Sequence, residues 1–263
     1  MPRAGSTAED GARSWRTASG ELARDSSRRA VTALPSLFTL INMCCGFGCI
    51  LVSMNGRYSL GAVLIGVAVV MDIADGAVAR LVGTVSSFGL QFDSLADLVS
   101  FGVAPAVLAF AWVMSDLGPL GWVACFVWLA AAAIRLARFN CTVDPRADKR
   151  FFVGLPSPGA AGVVVASVFA FSAPLPSDQR LWALLVMLVP AVLMVTSIRF
   201  RSFRSLVSPQ GRPYPLVAFV AVLAAGFATI PAVTGCALAY GYLLFPVLTR
   251  VVRPMVRLVP SHP

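Results

Sequence analysis

The sequence predicts an all-α fold: a polytopic membrane helix bundle of about eight transmembrane helices with both termini cytoplasmic. Three observations carry this reading. The 263 residues are 58% hydrophobic and only 13% charged, whereas soluble domains hold roughly 25% charged residues. Several apolar runs reach the length of about 20 residues that crossing a bilayer requires. Of the 21 lysines and arginines, all but Arg57 and Arg180 fall on one side when the chain is threaded from a cytoplasmic N-terminus, which is the bias that sets membrane orientation.

The first thirty or so residues are polar and carry Arg3, Arg13, Arg16, Arg24, Arg28 and Arg29. They contain no apolar core of the kind a secretory signal peptide needs, and Glu9, Asp10, Glu21 and Asp25 set them apart from a transit peptide. With little to bury, residues 1–32 are expected to form a disordered basic cytoplasmic tail. Hydrophobic spans follow at about 33–54, 58–80, 90–114, 118–138, 158–174, 180–198, 214–231 and 232–250. Residues 33–250 thus read as one transmembrane domain and 251–263 as a cytoplasmic C-terminal tail. The fifth span is short and rich in Gly159, Ala160, Ala161 and Gly162, small residues that let membrane helices approach closely. The last two spans meet at Pro231 and need a tight turn.

The net charge of +9 reads as contact with anionic lipid beside the spans, not with nucleic acid. Cys44, Cys45, Cys49, Cys125, Cys141 and Cys236 form no C-x2-C pair and read as small packing residues. His262 is the one histidine and lies in the tail, so no histidine is available to the spans for catalysis or metal binding.

The polar chemistry concentrates in "MDIADGAVARLVGTVSSFGLQFDSLAD", Met71 to Asp97. Asp72 and Asp75 are spaced i, i+3 at the inner end of the second span. Asp93 and Asp97 are spaced i, i+4 at the inner start of the third. Each pair occupies one helix face, and the short connection Leu81–Phe88 can turn the two faces together. Ionisable groups inside a span each cost several kcal/mol, of order 3 on insertion scales, so four converging carboxylates call for compensation. Two divalent cations would balance them, and oxygen-only ligands select Mg²⁺ or Mn²⁺ over Zn²⁺. Such a pair suits phosphoryl chemistry. Gly76 and Ala79 lie on nearly the same face and would let a phosphate approach. Arg80 adds a fixed positive charge, and Ser86 a hydrogen-bond donor. Singly, Gly76 and Ala79 read as packing and Arg80 as a snorkelling anchor. Together with four aspartates they point to a nucleotide-diphosphate site. A cation transporter using the aspartates is the rival of another class, but a cation path gains nothing from Arg80.

Written as a pattern, the stretch is D-x2-D-G-x2-A-R-x8-G-x3-D-x3-D, through Asp72, Asp75, Gly76, Ala79, Arg80, Gly89, Asp93 and Asp97. It resembles the signature of the CDP-alcohol phosphatidyltransferase family at every fixed position. The resemblance implies an integral membrane enzyme that moves a phosphatidyl group from a CDP-linked lipid to an alcohol and releases CMP. It also implies metal ligation by Asp72, Asp75 and Asp93, with Asp97 as general base and possible further ligand, and contact of Gly76, Arg80 and Ser86 with the CDP-lipid. "LPSLFTLINMCCGFGCI" (Leu34 to Ile50), "RLARFN" (Arg135 to Asn140) and "FVGLPSPGAAG" (Phe152 to Gly162) resemble the bacterial phosphatidylserine synthases within that family, although Ser36 stands where they usually carry Asn. This implies L-serine as acceptor and CDP-diacylglycerol as donor, at the cytoplasmic side of the cell membrane. A small zwitterion needs a cation for its carboxylate, and Arg138, Arg135 and Asn140 at the inner end of the fourth span are the candidates. Alternatively these arginines only anchor the helix. A sister enzyme using glycerol 3-phosphate or an inositol phosphate would want more clustered cations. A homodimer is compatible with the sequence.

The threading is open to labelling. A cysteine introduced at Gly56 is expected to react with an impermeant reagent from outside, and one at Ala147 from the cytoplasmic side. Reaction of both from one face breaks the eight-span arrangement.

Overall fold

The computed structural model of the protein describes residues 36–82, 87–141, 151–171, 176, 180–196, 199–201, 226 and 229–256. Helix α1 covers Ser36–Met54 and α2 Tyr58–Val82. Helices α3, Ser87–Asp97, and α4, Ala104–Trp112, are joined by a π-helical segment, Leu98–Val103, into one rod. Then come α5, Pro119–Cys141, α6, Ser157–Ala170, α7, Arg180–Val195, and α8, Pro231–Val256. Helices α1, α2 and α5 and the α3–α4 rod are long and apolar enough to cross a membrane, whereas α6, α7 and the Ala232–Leu244 part of α8 are shorter apolar helices. These helices match the first six expected spans and the eighth to within a few residues. The expected seventh span falls almost wholly outside the described residues, as does the tail 1–32. Helix α8 runs on into the expected C-terminal tail, as far as Val256.

Among the described residues, one short ribbon interrupts the helices. Strand β1, Phe151–Val153, pairs antiparallel with β2, Arg199–Arg201. Three residues are too few to show an alternating pattern, so the sequence gives no sign of it. Gly154 closes the ribbon at φ +84°, and a Cβ there would lie 2.5 Å from the Met194 carbonyl oxygen, so only glycine fits. The next amide, Leu155 N–H, donates to Leu193 O at 3.0 Å. The start of α6 is thereby tied to the end of α7.

Burial along α2 shows how the bundle meets lipid. Val63, Val67, Val70 and Ile73 are exposed at helical spacing, Ile73 to 63%. Such an apolar stripe is stable against hydrocarbon, not water. The opposite stripe, Gly61, Ala62, Ile65 and Ala68, is buried and leads along the helix to the aspartates. Helix α2 packs on α4 and α6, α5 on α7, and α6 on α8. Trp128, Phe101, Ile65 and Leu108 are fully buried at the centre.

The α3–α4 rod contains Pro105, which has no N–H to offer the carbonyl one turn back and crowds it with its ring. That carbonyl, Phe101 O, instead accepts Trp128 Nε1–H of α5 at 3.2 Å. The π turn, in which Ala104 N–H donates to Val99 O, is where the rod absorbs an extra residue. Helix α1 crosses this turn at very close range. A Cβ on Gly46 would lie 2.5 Å from Ser100 Oγ and 2.7 Å from Ser100 Cα. At the far end, about 22 Å of rod from Asp97, Trp112 Nε1–H donates to Phe171 O at 2.9 Å, and Arg180 pairs with Asp116 at 3.2 Å.

Gly46→Val is expected to push α1 off the π turn. Overpacking of this kind costs about 1–3 kcal/mol, so thermal unfolding in detergent should begin several degrees lower. Gly66→Ala is the control, because a Cβ there meets nothing within 4 Å. It should unfold at or slightly above the wild-type temperature.

Candidate active site

The two faces inferred from spacing do converge. Carboxylate oxygens of Asp72 from α2 and of Asp93 and Asp97 from α3 lie within 4.8 Å of one another. Asp75 sits one turn beyond Asp72, is only 7% exposed and accepts a hydrogen bond from Thr39 Oγ1 of α1. It is near enough to act electrostatically on Asp72 and Asp93. The structure therefore gathers three of the four aspartates at one point and holds the fourth against α1. Gly76 follows on α2, half-buried. Ala79 and Arg80 belong to the last turns of α2, but their side chains, like all of Ser86, lie outside the described residues.

Helix α1 reaches the cluster through Asn42. Its Nδ2 donates to Asp97 Oδ1 at 3.2 Å, while its backbone carbonyl accepts Ser100 Oγ–H at 2.9 Å. Asp97 and Ser100 are three residues apart on the rod, and Asn42 and Gly46 four apart on α1. One helix face therefore docks on the other through two hydrogen bonds and one close backbone approach. The polar pair Thr39 and Asn42, spaced i, i+3 in an apolar span, is the signal in the sequence that marks these residues. Its meaning is visible only once α1 is seen against α2 and α3.

Helix α5 supplies the positive charge. The Arg135 guanidinium interacts electrostatically with Asp97 and Asp72 and donates from Nη1 to Ser157 Oγ of α6 at 2.5 Å. Arg138, one turn on, has an exposed side chain. Asn140 engages Ser94 of α3, with Asn140 Nδ2 2.9 Å from Ser94 Oγ, between the two acids Asp93 and Asp97. Of the three residues expected to meet an acceptor, Arg135 faces the cluster and Asn140 clasps the helix that carries it. The donor set described is all oxygen, three carboxylates in an apolar bundle beside the Arg135 guanidinium, and this fits a hard divalent cation.

The family model described as CDP-alcohol phosphatidyltransferase matches residues 32–175. The chain belongs to that family. The match runs from α1 to α6 and takes in all four aspartates, Asn42 and Arg135. Among similar proteins, the CDP-diacylglycerol–serine O-phosphatidyltransferase of Mycobacterium leprae (strain TN) is 34% identical over 217 residues, 79% of this chain and 72% of that protein. The protein of the same name from Helicobacter pylori (strain ATCC 700392 / 26695) is 35% identical over 173 residues, 65% of this chain and 72% of its own. An archaetidylserine synthase of Methanothermobacter thermautotrophicus is 34% identical over 176 residues, 64% of this chain and 69% of its own.

In this family member the Asn42 amide is the one side-chain donor shown on Asp97 among the described residues. A hydrogen bond to a charged group is worth about 1.5–3 kcal/mol. Asn42→Ala is expected to lower transferase turnover about tenfold or more with little change in the amount of folded protein. Turnover at the wild-type level would leave Asn42 as a packing residue.

Proposed function

We propose that the chain transfers the phosphatidyl group of CDP-diacylglycerol to L-serine, giving phosphatidylserine and CMP, and so serves phospholipid biosynthesis. The observation that carries the reading is the aspartate cluster with the Arg135 guanidinium beside it, in a chain whose relatives are named for this reaction. An acceptor bearing a phosphate would call for several clustered cations. The guanidinium described beside the acids, Arg135, suits the single carboxylate of serine.

Asp97 acts as the base. Its hydrogen bond from Asn42 supports this role, since it orients the carboxylate. The serine hydroxyl oxygen attacks the phosphorus that carries diacylglycerol, its proton passes to Asp97, and the bond to CMP breaks. Gly76 and Ala79 leave room for the diphosphate along α2, and Arg80 and Ser86 hold its oxygens. Asp72, Asp75, Asp93 and Asp97 would hold two divalent cations, Mg²⁺ or Mn²⁺, which when bound offset charge on the diphosphate and the departing CMP. The long helices and the one-sided basic residues support a multi-pass protein of the cell membrane, with eight spans, cytoplasmic termini and a cytoplasmic site. Soluble serine and CMP then exchange with the cytoplasm while the acyl chains stay in lipid.

Purified protein with CDP-diacylglycerol and Mg²⁺ or Mn²⁺ is to be offered L-serine, glycerol 3-phosphate and inositol phosphate in parallel. CMP release with serine, abolished by a chelator, is the expected result. Release only with a phosphate-bearing acceptor overturns the serine reading. General-base catalysis is typically worth about 10²–10⁴-fold, so Asp97→Asn should lose that much turnover while still binding CDP-diacylglycerol at saturating metal. Near-normal turnover would move the base elsewhere.

A further inference from the structure

The family match stops at residue 175, yet the last helix reaches the site. Helix α8 packs along α6, and Gly159 allows a close approach near the start of α6. A Cβ there would lie 3.0 Å from Cε1 and 3.4 Å from Cδ1 of Tyr242. The bare backbone lets the tyrosine ring lie against the start of α6. The neighbouring turn of α8 is held as well, by the Tyr240–Ser167 hydrogen bond at 2.7 Å and the stacking of Tyr240 on Trp182. Two residues before Gly159, fully buried Ser157 accepts Arg135 Nη1–H. Arg135 is within electrostatic range of Tyr242 as well as of Asp97 and Asp72. Its Nε is buried and has no hydrogen-bond partner. Buried donors are nearly always partnered, and an unmatched edge of a guanidinium is suited to the paired oxygens of a carboxylate.

We propose that Arg135, Ser157 and Tyr242, gathered across Gly159 by α5, α6 and α8, form the subsite for the carboxylate of an amino-acid acceptor. This deepens the serine reading given above and rests on it. The guanidinium takes the carboxylate through Nε after a small turn of the side chain, Ser157 holds the other edge, and the Tyr242 hydroxyl donates to a carboxylate oxygen. In serine only three carbons separate a carboxylate oxygen from the hydroxyl oxygen. A carboxylate on Arg135 therefore brings the hydroxyl to Asp97, the neighbour of that same guanidinium. On this view the last helix sets acceptor choice, and the helices inside the family match carry the metal and nucleotide chemistry.

The test compares L-serine with serinol, which has a hydroxymethyl group in place of the carboxylate, in wild type, Tyr242→Phe and Gly159→Ala. Tyr242→Phe should raise KM for serine about tenfold, leave KM for CDP-diacylglycerol unchanged and lower the preference for serine over serinol. Gly159→Ala, which displaces the ring, should move the same quantities in the same direction. CDP binding at saturating metal reports that each variant is folded. Unchanged serine KM and an unchanged serine-to-serinol ratio in both variants overturn the subsite, and so does an equal rise in KM for both substrates. Wild-type turnover of serine separates the two claims. Its absence overturns the serine reading and the subsite together, whereas its presence with unaltered variant kinetics overturns the subsite alone.

Discussion

Three carboxylates from two helices come within 4.8 Å of one another inside a bundle whose outer faces are apolar. Charges at such range repel strongly where water cannot screen them. Much of the surrounding structure answers this constraint. Thr39 takes up Asp75, Asn42 takes up one oxygen of Asp97, and Arg135 adds a positive charge from a fourth helix. None of these contacts neutralises the cluster. The residual negative charge suits divalent cations and a diphosphate, so the repulsion that burdens the fold is also what equips it for phosphoryl chemistry.

Holding Asp97 in place depends on a local irregularity of the rod. The π turn begins at the residue after Asp97, and Pro105 lies just beyond it. A straight α-helix there would present a different residue to α1 in place of Ser100. As it stands, Ser100 holds the Asn42 carbonyl and Gly46 allows backbone contact. Trp128 of α5 satisfies the carbonyl that Pro105 leaves without a partner. Strain and hydrogen-bond deficits from the π turn are thus met by the two neighbouring helices, and those helices also carry Asn42 and Arg135. The irregular turn and the polar site belong to one arrangement.

Helices α1 to α3 supply the acids and the groups that orient them. The matched region ends just after α6, and α8 beyond it meets α6 at Gly159, two residues from the serine that holds Arg135. The ribbon at Gly154 fixes where α6 begins and so where Ser157 and Gly159 come to lie.

Hydropathy and charge in the sequence determined the membrane class, the helix positions and the four aspartates, because these are local properties: run length, spacing on one helix face and side-chain type. The spacing of Asp72 with Asp75 and of Asp93 with Asp97 was enough to put each pair on one helix face, while the gathering of Asp72, Asp93 and Asp97 with Asp75 held against α1 belongs to the fold. Thr39 and Asn42 were visible only as polar residues in an apolar run. Their partners stand 36 and 55 positions away, and no local pattern links them. The place of Arg135 was likewise beyond a linear reading, since it shares a helix end with Arg138 and only the fold shows it bonded to Ser157 of α6 and in range of the acids. The three-residue ribbon and the contact of Tyr242 with Gly159 were decided by the tertiary structure alone. Each is a meeting of segments distant in sequence that leaves no periodic trace in the chain, and the π turn, though local, is met by Ser100 and Gly46 only once α1 packs on it.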